Sequence, residues 1–249
     1  MSLMQVENVS KHFGSLVAVD DVSMSIEPGE LLAVIGPNGA GKTTFFNLIS
    51  GFLIPTSGRV VFDGEDITGL LPARRVWRGI VRTFQITEIF PELSARDNLR
   101  IAVEIALGLR LKPWLRRSDE KKIESQIADL LNKGGLTAMA DRLAGELAHG
   151  HQRATEIMMA LALGPRLLLL DEPTAGMGDA ETSEMTRLIR ELHADQKLAI
   201  ILIEHDMQVV FGLADRIIVL AEGALLAEGT PEQIAENEAV QAAYLGKPA

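Results

Sequence analysis

The sequence contains no cysteine and no long apolar run. The lack of cysteine excludes disulfides, thiolate zinc sites and cysteine nucleophiles, and it fits a reducing cytosol. The apolar runs Leu167 to Leu170 and Leu198 to Ile203 are far shorter than the roughly 18 residues that a membrane-spanning helix needs. Residues Met1 to Gly14 lack the central apolar stretch of a signal peptide. We therefore expect neither a membrane-spanning segment nor a signal peptide.

Positive charge is in the minority, with 24 Lys and Arg against 34 Asp and Glu and a net charge of −10. This balance argues against a broad nucleic-acid-binding face, because phosphate backbones are bound by clustered Lys and Arg. A phosphate ligand would therefore need a local cradle. Two basic groups are solvated helix faces or contacts for an acidic partner or lipid headgroups. They are Arg74, Arg75, Arg78 and Arg82, and Lys112, Arg116, Arg117, Lys121 and Lys122.

The hydrophobic fraction of 47% is enough for a core, and 249 residues favour one large domain. Continuous apolar runs predict strands that are covered on both faces, and hence a parallel sheet with flanking helices. These runs are Leu31 to Ile35, Leu167 to Leu170, Ala199 to Ile203 and Ile217 to Leu220. Early segments between turn signals predict shorter strands and hairpins, at Val6 to Val9, Leu16 to Ile26 and Val60 to Phe62. From about Glu88 to Gly164 the spacing of apolar residues predicts helices instead.

A phosphate-binding loop follows the first buried strand. Its residues are Gly36, Pro37, Asn38, Gly39, Ala40, Gly41, Lys42, Thr43 and Thr44, which fit G-x-x-x-x-G-K-[ST]. Glycines let backbone N–H groups point at a polyphosphate, and the helix that starts near Lys42 adds the positive end of its dipole. We expect Lys42 to pair with β- and γ-phosphate oxygens and the Thr43 hydroxyl to ligate Mg²⁺.

Two carboxylates end the buried strand that begins at Leu167. They fall at the carboxyl edge of the sheet, where α/β proteins hold their ligands. Asp171 is the candidate to hold Mg²⁺, directly or through water, and Glu172 is the candidate general base that polarises the attacking water. Together with the phosphate loop, this pair predicts nucleotide hydrolysis.

Taken in order, the motifs resemble those of the ATP-binding subunit of ATP-binding cassette (ABC) transporters, over nearly the whole chain. Gln85, in Arg82-Thr83-Phe84-Gln85, is similar to the family's Q-loop glutamine, which touches Mg²⁺ or water. His205, after the strand Ala199 to Ile203, resembles the switch histidine that contacts the γ-phosphate. Phe13 matches the aromatic residue that stacks on adenine, and the alternative for this residue is a core phenylalanine.

The family's signature L-S-G-G-Q is matched in part by Leu147-Ala148-His149-Gly150-His151, with a helix expected from Gln152 to Leu163. In the family this segment acts on the ATP of the opposing subunit, and Ala148 lacks the usual serine hydroxyl. Gly178 stands where the family commonly has Asp or Asn, and Asp179 follows it. Gly178 cannot make that side-chain contact, and Asp179 is the candidate to replace it.

The resemblance implies an α/β fold with a RecA-like P-loop core, an antiparallel β-subdomain and an inserted helical subdomain. We expect one ABC ATPase domain over 1–249, with the core and β-subdomain at about 4–86 and 164–249 and the helical subdomain at about 87–163. The implied partners are ATP with Mg²⁺, a second ABC ATPase subunit, identical or different, and membrane permease subunits. A solute-binding protein would act indirectly, and no nucleic-acid partner is expected. The implied location is peripheral, at the cytoplasmic face of the membrane.

At subfamily level, Leu202-Ile203-Glu204-His205-Asp206-Met207 is the most telling segment, and it is similar to the ATPase subunits of branched-chain amino-acid importers. The alternatives are ATPase subunits for urea or amide import or for lipopolysaccharide export, and a soluble ABC ATPase without a transport role. A GTPase is disfavoured because the only Asn-Lys pair, Asn132-Lys133, lacks the following Asp of N-K-x-D.

Overall fold

The structure, a computed structural model, describes residues 2–83, 88–109, 116–194 and 198–245. Its strands are β1 (Met4–Phe13), β2 (Leu16–Ile26), β3 (Leu31–Ile35), β4 (Ser57–Phe62), β5 (Glu65–Asp66), β6 (Ile80–Arg82), β7 (Leu167–Asp171), β8 (Ala199–Ile203), β9 (Arg216–Ala221) and β10 (Ala224–Gly229). Its α-helices are α1 (Lys42–Ser50), α2 (Pro72–Trp77), α3 (Ala95–Ala106), α4 (Arg117–Lys133), α5 (His149–Ala162), α6 (Asp179–Ala194), α7 (Met207–Leu213), α8 (Pro231–Ala235) and α9 (Glu238–Leu245).

The larger sheet has six strands in the order β10-β9-β3-β8-β7-β6. Strands β9, β3, β8, β7 and β6 are parallel, and β10 pairs with β9 antiparallel. The four strands predicted from continuous apolar runs are its centre, so the predicted parallel sheet is confirmed. The two edge strands were not predicted, because β6 has three residues and β10 has no fully buried residue.

The smaller sheet is antiparallel, in the order β2-β1-β4-β5. Strands β1 and β2 form a hairpin in which Phe13 pairs with Leu16. The predicted early strands and their hairpin are confirmed, although β1 and β4 are longer than the predicted segments.

Two apolar layers hold these sheets together, and the side chains of β3 alternate between them. Leu31 and Ala33 pack with α3 to α7 on one face of the larger sheet. Leu32 and Val34 pack on the other face, with α1 and the buried side of the smaller sheet. Helix α1 thus lies between the two sheets. This packing fixes the start of α1 against the carboxyl end of β3.

In the stretch from Glu88 to Gly164 that was predicted to be helical, the described residues form α3, α4, α5 and two short 3-10 turns, as expected. The predicted start of the last helix was wrong, because α5 begins at His149 and not at Gln152. Its N-cap, Ala148, makes no side-chain cap, but the Gly150 N–H donates to Glu181 Oε1 of α6 at 3.1 Å. A carboxylate from another helix therefore supplies the cap that the local sequence lacks.

The first basic group is in part neither a solvated face nor a free contact surface, and this corrects the prediction. Arg75 is 1% exposed and donates five hydrogen bonds to main-chain oxygens, those of Leu48, Ile49, Ile67, Thr68 and Leu70. Arg82 is also largely buried. In the second group, Arg116, Arg117, Lys121 and Lys122 are exposed, and Lys112 lies outside the described residues.

Within the described ranges, no helix has both the length and the apolar character needed to cross a bilayer.

Candidate functional site

The phosphate loop joins β3 to α1 and is tightly packed at both ends. Gly41 is the N-cap of α1, with φ +92°. A Cβ atom at Gly41 would overlap the carbonyl oxygen of Ala18, and one at Gly36 would overlap that of Leu220. Asn38 and Gly39 are exposed at the tip of the loop. Close backbone contacts therefore require glycine at positions 36 and 41, in addition to any requirement of phosphate binding.

Lys42 lies folded across this loop. Its side chain is buried, and Nζ donates to the carbonyl oxygens of Gly36 at 2.6 Å and Pro37 at 3.0 Å. Burial lowers the pKa of Lys42 below its usual value, and the nearby negative charge of Glu172 raises it in part. The ammonium group is thus desolvated at the N-terminal, positive end of α1, where its attraction for an anion is strongest.

The turn between β9 and β10 holds the loop from the outside. The Gly223 N–H donates to Ala40 O at 3.2 Å, and Gly223 O accepts the N–H of Asp20 at 2.8 Å. One residue therefore links the phosphate loop to β2 of the smaller sheet.

The two carboxylates and the histidine meet at the carboxyl ends of β7 and β8. Asp171 pairs with Ile203 in the parallel ladder, so the segments that follow these strands are neighbours. His205 Nε2 lies 2.6 Å from Glu172 Oε1. Glu172 has φ +46°, a left-handed conformation that is costly for a residue with a side chain. The structure thus brings together the predicted base and the predicted switch histidine.

Glu204 was not predicted as a functional residue, although it lies in the Leu202 to Met207 segment. It is 3% exposed and accepts hydrogen bonds from Thr174 N at 3.0 Å, Thr174 Oγ1 at 2.5 Å and His205 N at 2.8 Å. A cleft of about 360 Å³ lies beside these residues, lined also by Glu172 and Asp179. Glu204 therefore fixes the loop after β7 against the loop after β8.

Two arginines reach Asp171, and neither contact is evident from the sequence. Arg82 pairs with Asp171 Oδ2 at 2.7 Å, and Arg153 donates to Asp171 O at 2.5 Å. Arg153 also pairs with Glu156 at 2.7 Å. Arg82 belongs to the quoted Arg82-Thr83-Phe84-Gln85 motif, but nothing in the motif shows which way its side chain points.

Comparison with known proteins agrees with this geometry. The profile of the ABC transporter family matches residues 19–175, which is more than half of the chain. The chain is a member of the ABC transporter family. A second profile, for the branched-chain amino acid ATP-binding cassette transporter, matches residues 224–249 of this ABC ATPase. The predicted P-loop α/β fold and the predicted ATPase activity are therefore confirmed.

Similar relatives include two high-affinity branched-chain amino acid transport ATP-binding proteins. BraF of Pseudomonas aeruginosa is 42% identical over 98% of both chains, and LivG of Escherichia coli K12 is 42% identical with the same coverage. A sulfate/thiosulfate import ATP-binding protein of Pseudomonas syringae is 35% identical over 94% of this chain and 69% of its own. A nucleotide-free ATP-binding cassette from an ABC transporter has a TM-score of 0.85 and 32% identity, over 99% of this chain and all of the other.

Phe13, the residue predicted to stack on adenine, lies at the end of β1 and is 46% exposed. Lys11 Nζ lies 5.3 Å from the centre of its ring. The alternative of a core phenylalanine is therefore wrong. Gln85, predicted to touch ATP and Mg²⁺, lies outside the described residues.

The signature segment lies at the start of α5, with Ala148 as N-cap and His149 and Gly150 in the first turn. Across the described ranges, no hydrogen bond or ion pair joins Ala148–His151 to the phosphate loop. Gly150 N–H is instead occupied by Glu181. Gly178 precedes α6 and has open space where a side chain would lie.

Proposed function

We propose that this ABC ATPase powers the import of branched-chain amino acids and acts from the cytoplasmic face of the membrane, as a peripheral subunit. The similarity to BraF and LivG supports the solute, as does the profile match at 224–249. The site geometry supports the chemistry, through the meeting of Lys42, Glu172 and His205 around one sheet edge. We also propose one domain, in which residues 87–163 form a helical subdomain beside a core and β-subdomain at 4–86 and 164–249.

In this proposal the phosphate loop holds ATP through residues 36–44, and Phe13 stacks on the adenine. Thr43, Asp171 and Gln85 complete the Mg²⁺ site. Thr43 is exposed in the first turn of α1, and Asp171 ends β7, so the oxygen donors suit this hard cation. Among the residues described, no three His, Asp or Glu side chains could hold a metal alone. The nucleotide would therefore supply phosphate ligands.

Hydrolysis then falls to Glu172 and His205. The Glu172 carboxylate accepts a proton from water as the water oxygen bonds to the γ-phosphorus, and the bond to the bridging oxygen breaks to give ADP and phosphate. His205, which contacts Glu172, positions that carboxylate and the γ-phosphate.

We further propose that two such subunits share each ATP, because the signature segment lies apart from the phosphate loop of its own chain. Ala148 to His151 of the partner subunit would complete the site through the dipole of α5 and through the main-chain N–H groups at its start that are not already bonded, since Glu181 takes the Gly150 N–H. A dimeric ATP-binding cassette in a post-hydrolysis state with ADP and Pi, which is 25% identical with a TM-score of 0.75, supports this arrangement.

A groove between α2 and the helical region is the proposed contact for the permease. Its volume is about 450 Å³, and its lining is mainly apolar, including Trp77, Phe90, Ile105 and Met159. Trp77 is 62% exposed. A short amphipathic helix from a permease loop would bury this surface. Trp77→Ala should therefore weaken co-purification with the permease while leaving ATP binding intact.

The central test is Glu172→Gln. It keeps the shape of the side chain but removes the base, so ATP binding should persist, phosphate release should fall at least about a hundredfold and ATP should trap dimers. Glu191→Gln, at an exposed position on α6, is the matched control. Phosphate release and light scattering measure these effects. Turnover at the wild-type rate in Glu172→Gln would refute the proposed role.

The solute is tested by isolating the subunit with its companions from native membranes and assaying uptake in vesicles. Leucine, isoleucine or valine should be taken up with ATP consumption. Uptake of urea, or association with lipopolysaccharide-export components, would replace the proposed solute.

A further inference from the structure

Asp171 has a cationic partner inside the protein. Its side chain and that of Arg82 are each 7% exposed, and Arg82 Nη2 lies 2.7 Å from Asp171 Oδ2. Arg82 Nη1 also donates to Asn47 Oδ1 at 2.6 Å and to Ser50 Oγ at 2.9 Å, both on α1. The guanidinium is therefore placed between the end of β7 and the helix that starts at the phosphate loop.

Aromatic rings complete this position. The Arg82 guanidinium carbon lies 5.4 Å from the ring centre of Phe46 and 5.7 Å from that of Phe52. Stacked rings and two neutral acceptors stabilise the cation without its carboxylate partner. Arg82 can consequently release Asp171 without becoming a buried charge with no contacts.

Asp171 cannot lose a cation as easily. A buried carboxylate without a counter-charge is costly, and within the described residues its side chain has no other hydrogen-bonding partner than Arg82. A divalent cation at the same carboxylate would replace the charge that Arg82 supplies. Two cations near one carboxylate repel each other, so each lowers the affinity for the other.

We propose that Arg82 is a positioning residue that serves as the internal counter-ion of Asp171 and competes with Mg²⁺ for it. Arg82 thereby sets the Mg²⁺ concentration that the nucleotide-bound protein requires. This inference rests on the proposed role of Asp171 in holding Mg²⁺.

The test is a titration of free Mg²⁺ at fixed ATP in which the melting temperature of the full chain is the readout. The midpoint is the Mg²⁺ concentration that gives half of the rise in melting temperature. Arg82→Met removes the charge and keeps an apolar stem for the rings, so the Mg²⁺ midpoint should fall about tenfold. Arg82→Lys keeps the charge, so its midpoint should stay within about twofold of wild type even if the protein melts earlier. The control is Arg166→Met, because Arg166 likewise pairs with a carboxylate, Asp63, and stacks on a ring.

A double variant isolates the pair. In an Asp171→Asn background, Arg82→Met should no longer move the midpoint. Should Arg82→Met not fold, the neutral Arg82→Gln replaces it with the same expected shift. An unchanged or higher midpoint in the neutral variants, or an equal shift in Arg82→Lys, overturns the inference. A wild-type protein with no Mg²⁺ response would instead refute the proposed metal site itself.

Discussion

Replacing Arg75 with Met should destabilise the whole fold, because this one side chain satisfies acceptors from two parts of the chain. It donates to Leu48 O at 2.9 Å and Ile49 O at 2.8 Å, at the end of α1. It also donates to Ile67 O, Thr68 O and Leu70 O at 2.8–3.0 Å, in the segment before α2. Burial lowers the pKa of Arg75 to about 10, so the group remains a cation at neutral pH.

The expected magnitude follows from these contacts. A buried acceptor left without a donor costs about 1–3 kcal/mol. Three would be orphaned among the described residues, Ile49 O, Thr68 O and Leu70 O, because Leu48 O also accepts the Gly51 N–H and Ile67 O also accepts the Leu70 N–H. Relief from the cost of burying the cation, and water entering the vacated space, offset part of this sum. We expect a net loss of about 3–5 kcal/mol and a fall in melting temperature of about 10 °C.

Urea unfolding followed by circular dichroism measures the effect. Arg75→Lys should show a smaller loss than Arg75→Met, because an ammonium group offers three donors against five. Arg59→Met is the matched control, since Arg59 pairs with Glu7 on the surface and is 59% exposed. A midpoint for Arg75→Met that equals the Arg59→Met value would refute the reasoning.

Three further outcomes follow from the site. ATP affinity should begin to fall at a pH below 10.5, because phosphate binds the charged ammonium of Lys42 and burial lowers the pKa of that group. Isothermal titration should find weak binding in Lys42→Met that does not change over the same pH range. Gly41→Ala should lower both the melting temperature and ATP binding, since its Cβ would overlap Ala18 O, and normal values would contradict this. Glu204→Ala should cost about 2–4 kcal/mol in urea unfolding and slow ATP hydrolysis, by freeing the loops that hold Thr174 and His205; unchanged values would show that the bridge is dispensable.

The parts that sequence predicted well are those in which neighbouring residues decide the conformation. The run Leu31 to Ile35 followed by glycines and Lys42 specifies strand, loop and helix within one short segment, and the structure agrees. The segment Thr230-Pro231-Glu232-Gln233 predicts a helix start in the same way, and the structure places α8 there with a capping box between Thr230 and Gln233.

The parts that sequence could not predict depend on contacts between distant segments. A run of arginines does not reveal that Arg75 turns inward to main-chain oxygens, since those acceptors lie up to 27 positions away. Likewise, α5 begins early because Glu181, 31 positions along the chain, accepts the Gly150 N–H. Both cases are tertiary hydrogen bonds that override the local signal.

The hydrogen bonds of Gly223 to Ala40 and Asp20 make the C-terminal strands part of the nucleotide site. A chain truncated just before Gly223 would keep Lys42, Asp171, Glu172 and His205. It would lose the two hydrogen bonds that hold the phosphate loop to β2. Truncated versions should therefore fail to retain nucleotide even though every recognised motif survives. For the same reason, exchanging the C-terminal segment between transporters should change the affinity for ATP.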